Sequence, residues 1–241
     1  MRDLKQFRSD LETFHITLNE EQEQQFIKYY ELLAEWNSFM NLTAITEFDE
    51  VLKKHFVDSL SLVKACEKIR TESLYVIDIG TGAGFPGIPL KIAFPQIKLT
   101  LLDSLQKRLK FLTEVQNQLG VQEIEMIHGR AEDFAKPGMK REKFDLCVSR
   151  AVANLSTLSE LCLPYVKVGG SFISYKSEKV TEEAAGAKNA IDILGGKIVN
   201  QVEFQLPDCD IYRNLLVIEK VKSTPKKYPR KAGMPSKEPI A

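Results

Sequence analysis

Long apolar runs are missing from this 241-residue sequence, and a membrane-spanning helix needs about 20 consecutive apolar residues. The first residues, MRDLKQFRSDLETF, are charged throughout and lack the apolar centre of a secretory signal. The sequence therefore predicts a protein without a membrane span, and we expect it in the cytoplasm.

Cysteine and histidine are scarce and scattered. The chain has four cysteines and three histidines, with no CxxC pair and no other metal-ligand spacing between them. Protein zinc sites usually draw on closely spaced Cys and His ligands. The sequence therefore predicts no metal site.

The net charge is zero, because 33 basic residues balance 33 acidic ones. This balance alone argues against a nucleic-acid partner. The charges are nevertheless unevenly placed, with acids dense in residues 10–35 and bases dense in residues 220–237. A partner responds to the local field, so the basic stretch remains a candidate for contact with a polyanion.

The N-terminal part is predicted to be helical. Residues 19–40 carry apolar and aromatic side chains at helical spacing, and Asn19, before an acidic first turn, is a typical N-cap. A second helix is expected to begin at Thr46 or Glu47. We therefore assign residues 1–72 to a helical N-terminal extension.

After residue 72, short apolar strands alternate with amphipathic helices. Strands are predicted in LYVIDIG, IKLTLLD, IEMIHG, FDLCVSR and GSFISYK, and GKIVNQVEFQL and RNLLVIEKV follow as two strands with no helix between them. This alternation is typical of a parallel sheet, and the last two strands can pair antiparallel at its edge. We predict an α/β domain over residues 73–222 and a basic tail, extended or mobile, over residues 223–241. No coiled-coil heptads are present, and we favour a monomer.

The stretch VIDIGTGAGFPGIPL joins a buried strand to four glycines, Gly80, Gly82, Gly84 and Gly87. In a doubly wound sheet such a loop lies at the carboxyl ends of the strands, where these folds bind ligands. Glycines there let a ligand approach the backbone, and the following helix offers its free N–H groups. A nucleotide-like ligand is therefore predicted.

Two readings of this loop remain open. Gly82-x-Gly84-x-x-Gly87, with Asp103 about 20 residues further on, matches the dinucleotide fingerprint and favours NAD. Asp78-x-Gly80-x-Gly82-x-Gly84 places an acid before the first glycine, which suits an ammonium or sulfonium cofactor better than a pyrophosphate. In both readings Asp103 ends the second strand and can accept hydrogen bonds from two ribose hydroxyls.

The second reading, with Asp103 and the terminal antiparallel pair, resembles the class I S-adenosylmethionine-dependent methyltransferases, whose sheet has seven mostly parallel strands. A closer resemblance covers nearly the whole chain. The stretches EWNSFMNLTAIT, HFVDSL, DIGTGAGFPGIPL, DSLQKRLKFL, GRAED, SRAVA and KKYPRKAGMPSKEPI resemble, in order, the RsmG family, also called glucose-inhibited division protein B. That family comprises bacterial 16S rRNA guanine-N7 methyltransferases.

The resemblance implies S-adenosylmethionine as cofactor and guanine 527, in the 530 loop of 16S rRNA, as target, with low-level streptomycin resistance when the methyl group is missing. It adds cofactor contacts to those suggested by the glycine loop: Phe85 as an apolar wall, Ala131 and Glu132 near the adenine, and Arg150 at the end of the fourth strand. The partner is then 16S rRNA, or the small ribosomal subunit or its assembly intermediate.

The sequence indicates the substrate-binding residues less clearly than the cofactor-binding ones. Guanine N7 carries a lone pair and needs no general base, so we assign no catalytic acid or base; the enzyme's task is alignment. Arg or Lys is the natural reader of the neighbouring O6 acceptor. The candidate substrate-binding residues are Asn41, His55, Arg150, Lys176, Arg230 and Lys231, of which Asn41 could equally cap a turn and His55 could be a helix residue with satisfied hydrogen bonds.

Two other functional classes stay open. An NAD-dependent oxidoreductase fits the first glycine reading but has no recognisable proton donor on its substrate side. A non-catalytic RNA-binding protein that retains the pocket is also possible, although the intact glycine loop and Asp103 count against it.

Overall fold

One mixed sheet forms the centre of the computed structural model, which describes residues 2–150, 153–177 and 180–240. In this described part the sheet has seven strands: β1 (Tyr75–Ile79), β2 (Lys98–Asp103), β3 (Ile124–His128), β4 (Phe144–Arg150), β5 (Val166–Lys176), β6 (Gly196–Gln205) and β7 (Tyr212–Lys220). Their order is 3-2-1-4-5-7-6, and β7 runs antiparallel to both neighbours while the other pairs are parallel. This confirms the predicted α/β fold with its antiparallel terminal pair.

Helices cover both faces of the sheet: α5 (Gly87–Ala93), α6 (Gln106–Leu119), α7 (Ala131–Phe134), α8 (Leu155–Cys162) and α9 (Val180–Leu194). Side chains of β1 alternate between two apolar clusters, Val76 facing one and Ile77 and Ile79 the other. A strand buried on both faces is mostly apolar, which is why LYVIDIG is a nearly continuous apolar run interrupted by Asp78. Helix α6 ends as predicted at Gly120, which has a φ of +67°. The sequence analysis did not predict α9.

The N-terminal helices are α1 (Lys5–Glu12), α2 (Glu20–Met40), α3 (Phe48–Val51) and α4 (Asp58–Leu60), with a wider π-helical stretch over Leu52–Val57. Asn19 caps α2 as predicted, and Gln22 completes a capping box. Phe26, Tyr29 and Phe56 pack against one another and belong to the same apolar cluster as α5 and α6. The N-terminal helices therefore share one core with the sheet. In the described ranges, no helix has the length and apolar character needed to cross a membrane.

The prediction of an extended or mobile tail is wrong for residues 224–237, which fold back along α8 and end in α10 (Met234–Lys237). The Arg141 guanidinium donates hydrogen bonds to the carbonyl oxygens of Thr224, Pro225 and Tyr228. The backbone N–H of Thr224 donates to Glu142. The partners that hold this segment lie far away in sequence, so a basic, Pro-rich composition does not reveal them.

Candidate active site

A cleft of about 930 Å³ opens at the carboxyl ends of β1, β2 and β4. The loop after β1 forms its floor, the N-terminal helical part forms one side, and α7 with the C-terminal segment forms the other. This is where an open α/β sheet binds its ligand, and it is where the sequence analysis places the site.

Gly82 is the point of the loop that faces open space. Its φ is +61°, and a Cβ built there would meet only the carbonyl oxygen of Gly80, at 4.0 Å. Its N–H donates to Asp103 Oδ2 at 2.9 Å, which ties the loop to the end of β2. Gly80 and Phe85 line the cleft with it.

Gly84 and Gly87 lie on the other side of the loop. A Cβ on Gly84 would come within 2.6 Å of the Tyr29 hydroxyl oxygen, and one on Gly87 within 2.6 Å of a Leu101 methyl carbon. These two glycines therefore permit close packing rather than ligand approach, and the structure directs Gly84 away from the cleft expected for it. The Gly82-x-Gly84-x-x-Gly87 reading, which favoured NAD, loses its physical basis.

Asp78 is fully buried beneath the loop. Its Oδ2 accepts hydrogen bonds from the Thr81 hydroxyl at 2.7 Å and the Gly87 N–H at 3.0 Å. Its Oδ1 is buried without a hydrogen-bond partner among the residues that the structure describes. Burial raises the pKa of this carboxyl to about 6. Asp78 thus shapes the loop through these two hydrogen bonds, and it is not one of the residues that line the cleft.

Asp103 stands at the end of β2 on the cleft wall. Its Oδ1 accepts from the Leu105 N–H at 2.8 Å, and its Oδ2 accepts from Gly82 and from Arg108 at 3.3 Å. A carboxylate oxygen can accept more than one hydrogen bond, so room remains for the hydroxyls of a ribose. Asp103 therefore lines the cleft, and its contact with a ribose stays a prediction.

Ala131 and Glu132, at the start of α7, line the cleft on the side away from the N-terminal helices. The Ala131 carbonyl oxygen accepts from the buried Tyr165 hydroxyl at 2.5 Å. Glu132 Oε1 accepts from the backbone N–H of Gly233 at 2.7 Å. Tyr165, just before β5, and the C-terminal segment together hold this pair in place.

His55, Phe85 and Arg150 form a stack on the other side of the cleft. The imidazole and the Phe85 ring lie 4.5 Å apart at 16°, and the Arg150 guanidinium carbon lies 5.1 Å from the Phe85 centroid. Burial and the Arg150 charge lower the pKa of His55 to about 3. The ring is therefore neutral at pH 7, with Nδ1 facing Arg150 Nη2 at 3.4 Å and Nε2 bonded to Thr43 Oγ1 at 2.8 Å.

Asp58, which the sequence analysis missed, joins two arginines of this wall. Its Oδ2 accepts from Arg150 Nη1 at 2.8 Å, and its Oδ1 accepts from Arg213 Nε at 2.7 Å. Lys54 and Lys176 lie along the same wall, and Lys176 pairs with Glu183 at 2.7 Å. The cleft side opposite Glu132 is thus rich in cations.

The predicted substrate residues separate into two groups. His55, Arg150 and Lys176 line the cleft, whereas Asn41, Arg230 and Lys231 do not. Asn41 ends α2 in a left-handed conformation with its side chain exposed, beside the lining residues Leu42 and Thr43. The Arg230 guanidinium is bound to the buried Glu160, and Lys231 is exposed.

Several lining residues could not be chosen from the sequence: Thr43, Asp58, Tyr175, Arg213 and Ser236. Asp58 and Arg213 carried a weak signal, because each is a charged residue close to a group of apolar ones, in HFVDSL and in YRNLLVIEK. Ser236 carried none, because its place depends on how the C-terminal segment folds back.

The fold is shared with a protein solved in complex with AdoMet and with a methyltransferase. TYW2 of M. jannaschii, solved in complex with AdoMet, matches with a TM-score of 0.52 and 15% identity over 68% of this chain and 76% of that one. A candidate sarcosine dimethylglycine methyltransferase from Galdieria sulphuraria matches with a TM-score of 0.54 and 11% identity over 72% and 88%. The strand order and these matches define the class of fold, which is that of the S-adenosylmethionine-dependent methyltransferases.

Sequence comparison narrows the class. The GidB family model, described as rRNA small subunit methyltransferase G, matches residues 22–212. Ribosomal RNA small subunit methyltransferase G of Lachnoclostridium phytofermentans is 56% identical over 240 residues, which is 100% of this chain and 98% of that protein. The Alkaliphilus metalliredigens protein of the same name is 55% identical over 94% and 93%. The chain belongs to the rRNA small subunit methyltransferase G family, which confirms the resemblance and excludes the oxidoreductase alternative.

Proposed function

We propose that this protein transfers the methyl group of S-adenosylmethionine to N7 of a guanine in 16S rRNA, with guanine 527 of the 530 loop as the target that the family resemblance implies. The observation that carries the proposal is that the two sides of the cleft differ in chemistry. A nucleoside-compatible side with Gly82 and Asp103 meets a cationic side with Arg150 and Arg213. The carboxylates on both sides already accept hydrogen bonds from the protein.

The residues present fit the cofactor. Gly82 leaves space for close approach, Asp103 can accept from ribose hydroxyls, and Ala131 and Glu132 lie where the adenine is expected. Phe85 and Arg150, which contact each other on the cleft wall, are proposed to border the reacting end of the cofactor. When bound, S-adenosylmethionine supplies an electrophilic methyl group on a sulfonium centre.

The hydrogen bonding and protonation of the residues that line the cleft favour methylation at N7. Four carboxylates are found among the described lining residues, and each accepts a hydrogen bond from the protein: Asp58, Asp103, Glu132 and Glu183. His55, with a pKa of about 3, is a poor base at neutral pH. Methylation at a ring N–H or an exocyclic amine requires proton removal, whereas the N7 lone pair can attack directly. Alignment is then the main contribution of this site.

The cationic side suits the substrate. Guanine presents N7 and O6 as acceptors on its major-groove edge, so a donor placed at O6 can orient the base while N7 stays free. Arg150, Arg213 and Lys176 are the candidate donors to O6 or to neighbouring phosphates. Asn41 and Lys231, outside the cleft, are proposed as contacts to more distant parts of 16S rRNA or of the small subunit.

The test uses a chemical property of N7-methylguanine. Small subunits from cells that lack this protein are incubated with the purified enzyme and S-adenosylmethionine, and the rRNA is treated with borohydride and aniline, which cleaves at N7-methylguanosine. We expect one new cleavage, at guanine 527, that is absent without enzyme. Methyl incorporation without cleavage would move the reaction to another atom, and cleavage elsewhere would change the target. Binding without any methylation would favour the non-catalytic alternative.

A further inference from the structure

The C-terminal segment 224–237, which we term the strap, forms part of the cleft wall. Ser236 lines the cleft together with Gly129, Ala131 and Glu132. We propose that the strap belongs to the cofactor site, with Ser236 as a contact residue and the Arg230–Glu160 ion pair as the positioning element that seats it. The inference rests on the proposed function only in taking S-adenosylmethionine as the ligand of this side.

The central anchor of the strap is a buried carboxylate. Glu160 on α8 is 1% exposed, and its two oxygens accept hydrogen bonds from Arg230 Nε at 3.0 Å and Nη2 at 2.6 Å. The backbone N–H of Arg230 donates to Glu160 Oε1 at 2.7 Å as well. A buried carboxylate needs such partners because its desolvation is costly, so Glu160 holds Arg230 in one place.

Further anchors lie before and after this pair. Thr157 Oγ1 on α8 donates to the carbonyl oxygen of Pro235 at 2.9 Å in a buried contact. At the start of the strap, Thr224 Oγ1 donates to the carbonyl oxygen of Leu194 at 2.7 Å. Ser236 therefore follows directly on an anchored residue, and its position at the cleft is defined by the fold.

The strap also holds the site residue Glu132. The backbone N–H of Gly233 donates to Glu132 Oε1 at 2.7 Å, and Glu132 is only 6% exposed. With Oε1 engaged, Oε2 is the acceptor available to an amino group such as that of adenine. The strap and the cofactor then both bind the Glu132 carboxylate. Binding of either one therefore stabilises binding of the other by linkage.

This arrangement changes the role expected for Arg230. Arg230 has Glu160 to itself and binds it through Nε, Nη2 and its backbone N–H, whereas Arg150 and Arg213 share the single carboxylate of Asp58. Arg230 is therefore a poor phosphate contact, and its pairing with a buried carboxylate favours a structural role in the cofactor site. The hydrogen bonds with Glu160 raise the pKa of Arg230, in line with a persistent ion pair. RNA contact by the strap is then left to exposed residues such as Lys231.

The direct test places a bulky side chain at the cleft wall. Ser236→Trp is compared with Lys237→Trp, one residue further on, because both side chains are exposed but only Ser236 lines the cleft. Affinity for S-adenosylhomocysteine is measured by calorimetry, and folding by thermal denaturation. We expect at least about tenfold weaker binding for Ser236→Trp with an unchanged melting temperature, and wild-type binding for Lys237→Trp.

The second test loosens the anchor. Arg230→Met is compared with Arg8→Met, because Arg8 makes a similar two-point contact to Glu23 far from the cleft. We expect about tenfold weaker binding of S-adenosylhomocysteine for Arg230→Met only. Trypsin cleavage after Lys226 and Lys231 should become faster in this variant, and added S-adenosylhomocysteine should slow cleavage in the wild type.

Wild-type affinity in Ser236→Trp would overturn the proposal, and so would wild-type affinity in a folded Arg230→Met variant. If Arg230→Met does not fold, the Ser236 result decides alone. These binding measurements involve no RNA, so their failure leaves the proposed methylation of guanine N7 standing, and a different methylation target leaves the strap inference standing.

Discussion

Gly84 lies directly beneath the side chain of Tyr29: a Cβ on the glycine would come within 2.6 Å of the phenol oxygen. The Tyr29 hydroxyl donates to the carbonyl oxygen of Ala83, the neighbouring loop residue. Tyr29 is on α2, so the N-terminal helices support the cofactor loop from behind. The helical part is thus a structural component of the methyltransferase site.

Replacement of Gly84 and of Gly82 should have different consequences. Gly84→Ala combines a left-handed φ of +97° with overpacking against Tyr29, and should cost about 2–4 kcal/mol of unfolding free energy. Gly82→Ala should cost only about 1–2 kcal/mol from its φ of +61°, but its methyl group faces the cleft and should weaken S-adenosylhomocysteine binding. Urea denaturation and calorimetry measure the two effects. A Gly82→Ala variant with wild-type affinity would contradict the assignment of the cleft floor.

Asp103→Asn should weaken cofactor binding by about 1.5–3 kcal/mol, the scale of hydrogen bonds to a charged group. The measurement is calorimetry with S-adenosylhomocysteine and with its 2′-deoxy analogue. If Asp103 accepts from the ribose, the variant should lose much less affinity for the analogue than for the natural ligand. Equal losses of affinity for both ligands would mean that Asp103 acts only through its hydrogen bonds with Gly82 and Leu105.

Asp58→Asn should damage both stability and rRNA methylation. The carboxylate holds Arg150 and Arg213, and removal of one partner from a buried ionic group costs about 3–5 kcal/mol. Arg213→Met leaves the Arg150 contact in place, so it should keep cofactor affinity while raising KM for the small subunit. Thermal denaturation and methylation kinetics test the two variants. An unchanged KM in Arg213→Met would remove Arg213 from the substrate wall.

His55 should make stability fall as the solution is acidified. Its pKa is about 3 in the folded protein, against an unfolded value of 6.5, so below pH 6.5 the unfolded chain binds the extra proton. The resulting loss approaches about 1.4 kcal/mol per pH unit and continues until the folded pKa is reached. Asp78, with a folded pKa of about 6 against 3.8, contributes the opposite slope between pH 6 and 4, since there the folded state holds more protons.

His55→Gln isolates the histidine contribution because Asp78 is present in both proteins. Urea denaturation at pH 7.5, 6.0 and 5.0 should show the stability difference moving in favour of the variant by about 1–2 kcal/mol between the first and last pH. A pH-independent difference would mean that His55 takes up its proton as readily in the folded protein as in the unfolded chain.

Lys231→Ala should weaken rRNA binding without affecting the cofactor. Loss of one phosphate contact should reduce the slope of log affinity against log salt by about 0.7–0.9. Lys188→Ala on α9, a residue that does not line the cleft, is the matched control. A slope that is the same in both variants and the wild type would remove Lys231 from the RNA surface.

The local elements of this protein are readable in its sequence because local physics decides them. The capping pair of Asn19 and Gln22, the glycine stop at Gly120 and the two-sided burial of β1 act within a few residues. The position of Asp103 follows in the same way, since a residue that ends a parallel strand must lie at the ligand-binding edge.

Long-range packing decided what the sequence could not show. Gly84 has the same motif position as a ligand-contacting glycine, but Tyr29, 55 residues earlier, occupies the space beside it. Arg230 looks like a solvent-exposed base until Glu160 is found buried beneath it, and Asp58 acquires its role only when Arg150 and Arg213 converge on it. The sequence by itself determined the seven strands, most of the helices between them but not α9, and the glycine loop that borders the cleft. Only the tertiary structure decided which charges are paired and which face the cleft, because ion pairing depends on distances between residues that lie from 70 to 155 positions apart in the sequence.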